Sequence, residues 1–204
     1  ILLIMFLCSV NIVSAAIVKT STFDTSNEGW RILDVNSTGA YWQNGEIYFK
    51  NLRNINGRYP GYLVAPSDWL GDYSEVYGGT FSFDIRIIST DLAVYNDITM
   101  FGGGVEMYYD LAAPGGHHEI QMAQGYGWKI YGSNADATAQ EIQTVLGSIS
   151  KIWFMAEYAN YWKGDQWNKT YYDNITFSSD KTEIPIPGTL MLLCFGLLSF
   201  ARFN

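Results

Sequence analysis

Between residues 80 and 88 apolar and polar side chains alternate without a break. Phe81, Phe83, Ile85 and Ile87 fall on one face, and Thr80, Ser82, Asp84 and Arg86 on the other. A two-residue period marks an antiparallel strand with one buried and one wet face. Runs of the same period predict strands at Glu46 to Lys50, Gly61 to Ala65, Ile98 to Asp110, His118 to Ala123, Lys151 to Ala159 and Thr170 to Phe177. Turn signals separate them: Asn56-Gly57, Gly78-Gly79, Pro114-Gly115-Gly116 and Gly132-Ser133-Asn134. Helical spacing occurs once, at Ile142, Val145, Leu146 and Ile149, with Asp136 as the expected N-cap and Gly147 near the end. One short helix cannot connect a parallel sheet, so the expected fold is all-β: an antiparallel β-sandwich of the jelly-roll type, similar in layout to carbohydrate-binding modules. Gly102-Gly103-Gly104 predicts a β-bulge or a wide turn. No helix and Lys follow it, as a phosphate-binding loop would require.

The two ends break this pattern. Residues 1–16, ILLIMFLCSVNIVSAA, are uncharged and finish in small residues, which predicts the apolar region and cleavage site of a signal peptide. With no initiator Met and no basic leader, that peptide is expected to be truncated at its start; the alternative is a buried first strand. From Ile184 to Ala201 the chain is again uncharged, just long enough for transient membrane contact as an anchor. The domain is therefore expected at residues 17–183, with a separate tail at 184–204.

Composition narrows the partners. The 204 residues carry 12 Lys+Arg against 20 Asp+Glu, a net charge of −8, which argues against nucleic acid because phosphate neutralisation needs a basic face. Cys8 and Cys194 sit in the two apolar ends, so no disulfide framework is expected.

Two stretches resemble known families. The tail, Pro185-Ile186-Pro187-Gly188-Thr189 followed by LMLLCFGLLSF and Arg202, resembles the PEP-CTERM sorting tails of bacteria. It departs from them in having Ile186 where Glu is usual and a basic cluster reduced to Arg202. That resemblance implies a sorting protease as partner, secretion or cell-surface display in a bacterium, and association with exopolysaccharide and biofilm. In the body of the chain, Trp69-Leu70-Gly71, a polar spacer, Tyr77-Gly78-Gly79 and then Phe81 and Phe83 resemble the laminin B domain, also called laminin IV type A. Phe23-Asp24 to Gly29-Trp30, Ile142 to Tyr158 and Tyr171 to Ile175 extend the likeness over most of residues 21–178. It implies an extracellular jelly-roll building block without a reaction of its own.

The chain is rich in aromatics, with 7 Trp, 15 Tyr and 11 Phe. Such rings stack on sugar faces while neighbouring amides and carboxylates bond hydroxyls. Tyr158, Tyr161, Trp162, Asp165 and Trp167, between the last two strands, form the leading glycan-binding candidate. Tyr126 and Trp128, with Tyr131 and flanking glycines, form the second. The same rings could instead pack the loop or cover a sheet edge. Asp173 runs in phase with Tyr171, Ile175 and Phe177, which places a carboxylate on the buried face, where it must be bonded or metal-bound. Calcium takes oxygen ligands, and many jelly-roll modules hold one between their first and last strands, so a structural Ca2+ with Asp24 and Glu28 as partner ligands is one expectation. Bonding to backbone N–H groups is the other.

No cofactor is otherwise required. His117-His118 lacks zinc spacing, and no G-x-S-x-G elbow is present. A facing carboxylate pair for glycoside cleavage cannot be read from spacing. Three Asn-x-Ser/Thr matches, at Asn36, Asn168 and Asn174, are accidental in a bacterial exported chain. The expected function is a non-catalytic matrix or exopolysaccharide module that binds glycan. The alternatives are an adhesion module that contacts protein and a polysaccharide-cleaving enzyme.

Overall fold

The computed structural model describes residues 16–33, 41–50, 61–88, 96–156 and 169–180. They form strands β1 (Ala16–Ser21), β2 (Arg31–Leu33), β3 (Tyr41–Gln43), β4 (Glu46–Lys50), β5 (Tyr62–Val64), β6 (Thr80–Ile88), β7 (Ile98–Gly102), β8 (Val105–Tyr109), β9 (Gly116–Gln121), β10 (Lys129–Ile130), β11 (Ile149–Met155) and β12 (Lys169–Ser179), with helix α1 (Ala139–Leu146) before β11. One sheet runs β3-β4-β12-β6-β9, with β1 also on β12; the other runs β10-β8-β7-β11-β5-β2. All pairings are antiparallel, which gives the all-β sandwich expected.

The alternating faces of the strands meet in one aromatic core. Phe154 on β11 lies 5.6 Å from Phe81 and 5.2 Å from both Phe83 and Tyr172, centroid to centroid, so side chains of the two sheets interlock directly. Strand β6 has the burial alternation its sequence predicts, with Phe81, Phe83 and Ile85 inside. The segment entering β6 is equally constrained. Single turns of 3-10 helix at Ser67–Trp69 and Ser74–Val76 drive Trp69 and Val76 into the core, and the backbones of Gly71 and Ile149 bond each other. At Gly79 a Cβ would stand 2.0 Å from the Ser178 carbonyl oxygen, so only glycine lets the chain pass β12 there.

Four local expectations are corrected. The run from Ile98 to Asp110 is a hairpin, β7 and β8, rather than one strand: Gly103 and Gly104 both have positive φ and form its two-residue turn. The helix is capped by Thr138, not Asp136. Thr138 Oγ1 accepts from the Glu141 N–H while the Glu141 carboxylate accepts from the Thr138 N–H, a reciprocal pair that Asp136 is too far upstream to make. Ile149 opens β11 instead of closing the helix. Asp173 does not share the buried face of Ile175 and Phe177. Asn174 adopts φ 51° and the β12–β6 register shifts between Asp173 and Thr176, so the strand inserts a residue and Asp173 turns outward with Tyr171.

The bulge also marks a division of labour along β12. Residues 169–172 pair with β4, and 175–179 pair with β1 on the same edge. Among the described residues no helix is long and apolar enough to cross a membrane.

Candidate functional site

Strands β3, β4, β12 and β6 each alternate, and their register brings the outward residues into one row. Tyr41 and Tyr48 stack at 5.2 Å, Tyr48 and Tyr171 stack at 5.2 Å, and the Arg86 guanidinium lies 3.6 Å from the Tyr171 ring centre. Glu46 on β4 grips Arg86 through both Nε and Nη2, closing the far end of the row. Tyr48 and Tyr171 are each sandwiched between neighbours, so these two rings form a floor rather than free stacking faces.

Beside this floor the bulge places an uncommon arrangement. Asp84 and Asp173 are direct cross-strand partners. Like charges so placed repel, and donors gather around them: Asn174 Nδ2 donates to Asp84 at 2.7 Å and to Asp173 at 3.3 Å, and His117 Nδ1 meets Asp84 at 2.7 Å. Burial works against Asp84 ionisation, yet the bonds from Asn174 and His117 outweigh it and hold its carboxyl below the ordinary range. Burial pushes Asp173 the other way, upward. Its bond from the Asn174 N–H opposes that shift, while the charges of Asp84, Glu46 and Asp24 reinforce it. Together Glu46, Asp84, Ile85, Arg86, Gly116, His117, Tyr171 and Asp173 line a shallow concavity of about 290 Å³. On the inner side of β9, burial keeps the imidazole of His118 below its ordinary pKa, against Phe83 at 5.2 Å.

A concavity with acceptors at Asp84, Asp173 and Glu46 and donors at Arg86 and His117 can bond a polyhydroxylated ligand from several sides.

Of the site candidates singled out from sequence that lie among the described residues, Asp173 alone falls in this concavity. Tyr126 and Tyr131 are exposed, at 58% and 57%, as a ligand platform requires. Trp128 is not: it is 1% exposed, donates its indole N–H to the Gln121 carbonyl at 3.0 Å and packs edge-on to Tyr109, so it anchors the loop instead of presenting a ring. Tyr158, Tyr161, Trp162, Asp165 and Trp167 lie outside the described residues, as do the signal segment up to residue 15 and the tail with Pro185, Pro187 and Arg202. Asp24 accepts from Thr22 and Glu28 accepts from the Phe23 N–H. Among the described residues no group of three or more His, Cys, Asp and Glu side chains is placed to hold a metal ion, and Asp24, Glu28 and Asp173 form no such group. Sequence reasoning missed Tyr41, Tyr48, Arg86, Asp84 and His117. The outward parity of Tyr48 and Arg86 was legible within each strand; which outward residues meet depends on register, which was not.

Fold and surface define an antiparallel β-sandwich with a polar open face. A family model described as Laminin B (Domain IV) matches residues 62–179, and the chain belongs to that family. It is 24% identical to human laminin subunit gamma-1 over 184 residues, covering 86% of this chain and 11% of that protein, and 25% identical to human laminin subunit gamma-2 over 186 residues, covering 86% and 15%. This chain thus spans only a small part of the length of these relatives. The L4b domain of human laminin alpha-2 superposes with a TM-score of 0.66 at 20% identity, covering 80% of this chain and 98% of that domain, a likeness of fold.

Proposed function

We propose that this chain is an exported, non-catalytic extracellular-matrix module that binds a glycan on the outer face of the β3-β4-β12-β6-β9 sheet. Membership in the laminin B family supports the matrix setting. The observation that carries the ligand class is the convergence of Arg86 and His117 with the acceptors Glu46, Asp84 and Asp173 around one concavity. Hydroxyl groups both give and take hydrogen bonds, so a neutral sugar chain matches a surface of mixed donors and acceptors. Strongly anionic polymers fit it less well, because three carboxylates border it.

The test is a titration of the full chain with soluble neutral and acidic polysaccharides, each in calcium and in chelator, on the wild type and on Arg86→Met and Asp84→Asn. Saturable binding of a neutral glycan, weakened about tenfold in both variants, supports the reading; loss of one or two hydrogen bonds of this kind is worth that much. Binding that survives both variants but is lost in Trp162→Ala or Trp167→Ala would move the site to residues 158–168. No binding by a folded chain would leave an adhesion module that contacts protein.

A further inference from the structure

Among the described residues, strand β9 is the last strand of its sheet, and its six residues pair with β6 in unbroken register. The direction of its backbone groups can be read from its end. Gln121 gives its carbonyl to the Trp128 indole rather than to β6, while the Met122 N–H goes to Gly79 beside β6. Antiparallel pairing alternates, so His117 and Glu119, in phase with Gln121, turn their N–H and C=O groups to the open edge. Both side chains are exposed. The other outer strands are protected in familiar ways: β1 has a register shift between Ile17 and Lys19, β2 and β3 have three residues each, and β10 has two. β9 has neither device.

A row of free backbone groups selects an extended backbone as its occupant, and the side chains narrow the choice further. We propose that the open edge of β9 is a self-association surface on which a second copy of this chain adds its own β9, antiparallel and centred on His118. In that register His117 of each copy stands opposite Glu119 of the other. Both pairs then exchange backbone bonds at the open edge, and imidazole meets carboxylate on the outer face. His117 Nδ1 is already engaged by Asp84 at 2.7 Å, which leaves Nε2 for the incoming Glu119. Sliding the copies by two residues in either direction would put His117 against His117 or Glu119 against Glu119, so the charge pattern itself fixes the register. The contact is two-fold symmetric and closed, giving a dimer rather than a fibre.

Sedimentation of the full chain over a concentration series tests this. The wild type is expected to show a reversible monomer–dimer equilibrium. Glu119→Lys alone and His117→Glu alone should each weaken it at least tenfold, while an equimolar mixture of the two chains should form a heterodimer within about threefold of the wild-type affinity, since each interface pair again has opposite charge. Glu119→Pro, which removes the carboxylate together with an N–H that points away from β6, should abolish the dimer and keep the fold by circular dichroism. A wild type that stays monomeric at every soluble concentration overturns the proposal. So does a mixture that fails to associate, or a Glu119→Pro chain that is folded and still dimeric.

Discussion

Trp30 and Trp69 meet edge to face at 5.3 Å and direct both indole N–H groups onto one acceptor, the hydroxyl of Ser21, at 3.0 Å each. All three side chains are buried, so the end of β1 is tied at once to the segment before β2 and to the turn before β6. Ser21→Ala would strand two indole donors in the core. At about 1–3 kcal/mol for each unsatisfied group, a loss of about 2–6 kcal/mol is expected. Denaturant unfolding at neutral pH measures it; a shift below about 0.5 kcal/mol would show that the shared acceptor is dispensable.

Gly79 tests the close pass of β6 by β12. Gly79→Ala places a methyl group 2.0 Å from the Ser178 oxygen and 2.8 Å from the Ser179 Cα, both backbone atoms that cannot rotate away. The cost expected is about 3 kcal/mol or more, near the upper range for overpacking. Gly115→Ala, which meets nothing within 4 Å and has no positive φ, is the matched control and should stay within about 0.5 kcal/mol of the wild type. Equal thermal midpoints for the two variants would contradict the steric account.

The comparison of pattern with structure has a physical lesson at particular residues. Strand β6 was legible because a two-sided environment writes itself directly into alternation. The Trp69-to-Gly79 stretch was legible as a motif, and the structure supplies its reasons: a buried indole, a backbone bridge at Gly71 and a glycine against β12. Asp173 was misread because a period of two carries no warning of an inserted residue, and Asn174 gives only the weak hint that asparagine tolerates positive φ. Trp128 was grouped with Tyr126 and Tyr131 as a glycan candidate because ring chemistry does not distinguish a ring that meets ligand from one that packs its loop; the structure takes the second course, with Trp128 buried. The Tyr41-Tyr48-Tyr171-Arg86 row required the order β3-β4-β12-β6, in which residues more than 80 positions apart become neighbours on adjacent strands, and nothing local encodes that.

Asp173 makes the bulge sensitive to pH. Its carboxyl is raised in the folded chain, so folding disfavours its ionised form, and the resulting penalty is present above the folded pKa and absent below the unfolded one. Asp173→Asn removes the charge. The variant should therefore be more stable than the wild type at neutral pH, and the gain should shrink as pH falls through the carboxylate range. Asp84 has the opposite sign: its lowered carboxyl stabilises the fold above the unfolded pKa, and that contribution is lost on acidification. Asp84→Asn should accordingly destabilise at neutral pH and converge with the wild type in acid. Unfolding midpoints of the three chains at neutral pH and at about pH 3, below the ordinary carboxylate pKa, decide the matter; two variants shifting in the same direction at neutral pH would refute the opposed roles.

Tyr126 and Trp128 stand two residues apart and should answer differently to the same substitution. Trp128 fills the interior beside Tyr109 and bonds Gln121, so Trp128→Ala is expected to cost about 3–5 kcal/mol, the range for deleting a large buried ring. Tyr126 is more than half exposed, so Tyr126→Ala should change stability by no more than about 0.5 kcal/mol. The contrast also governs how binding data are read. A Trp128→Ala chain that loses a ligand has first lost part of its fold, whereas a Tyr126→Ala chain that loses one at unchanged stability has lost a contact. Unfolding and glycan titration on both variants therefore belong together. A Trp128→Ala chain as stable as the wild type would return that indole to the surface platform from which its burial removes it.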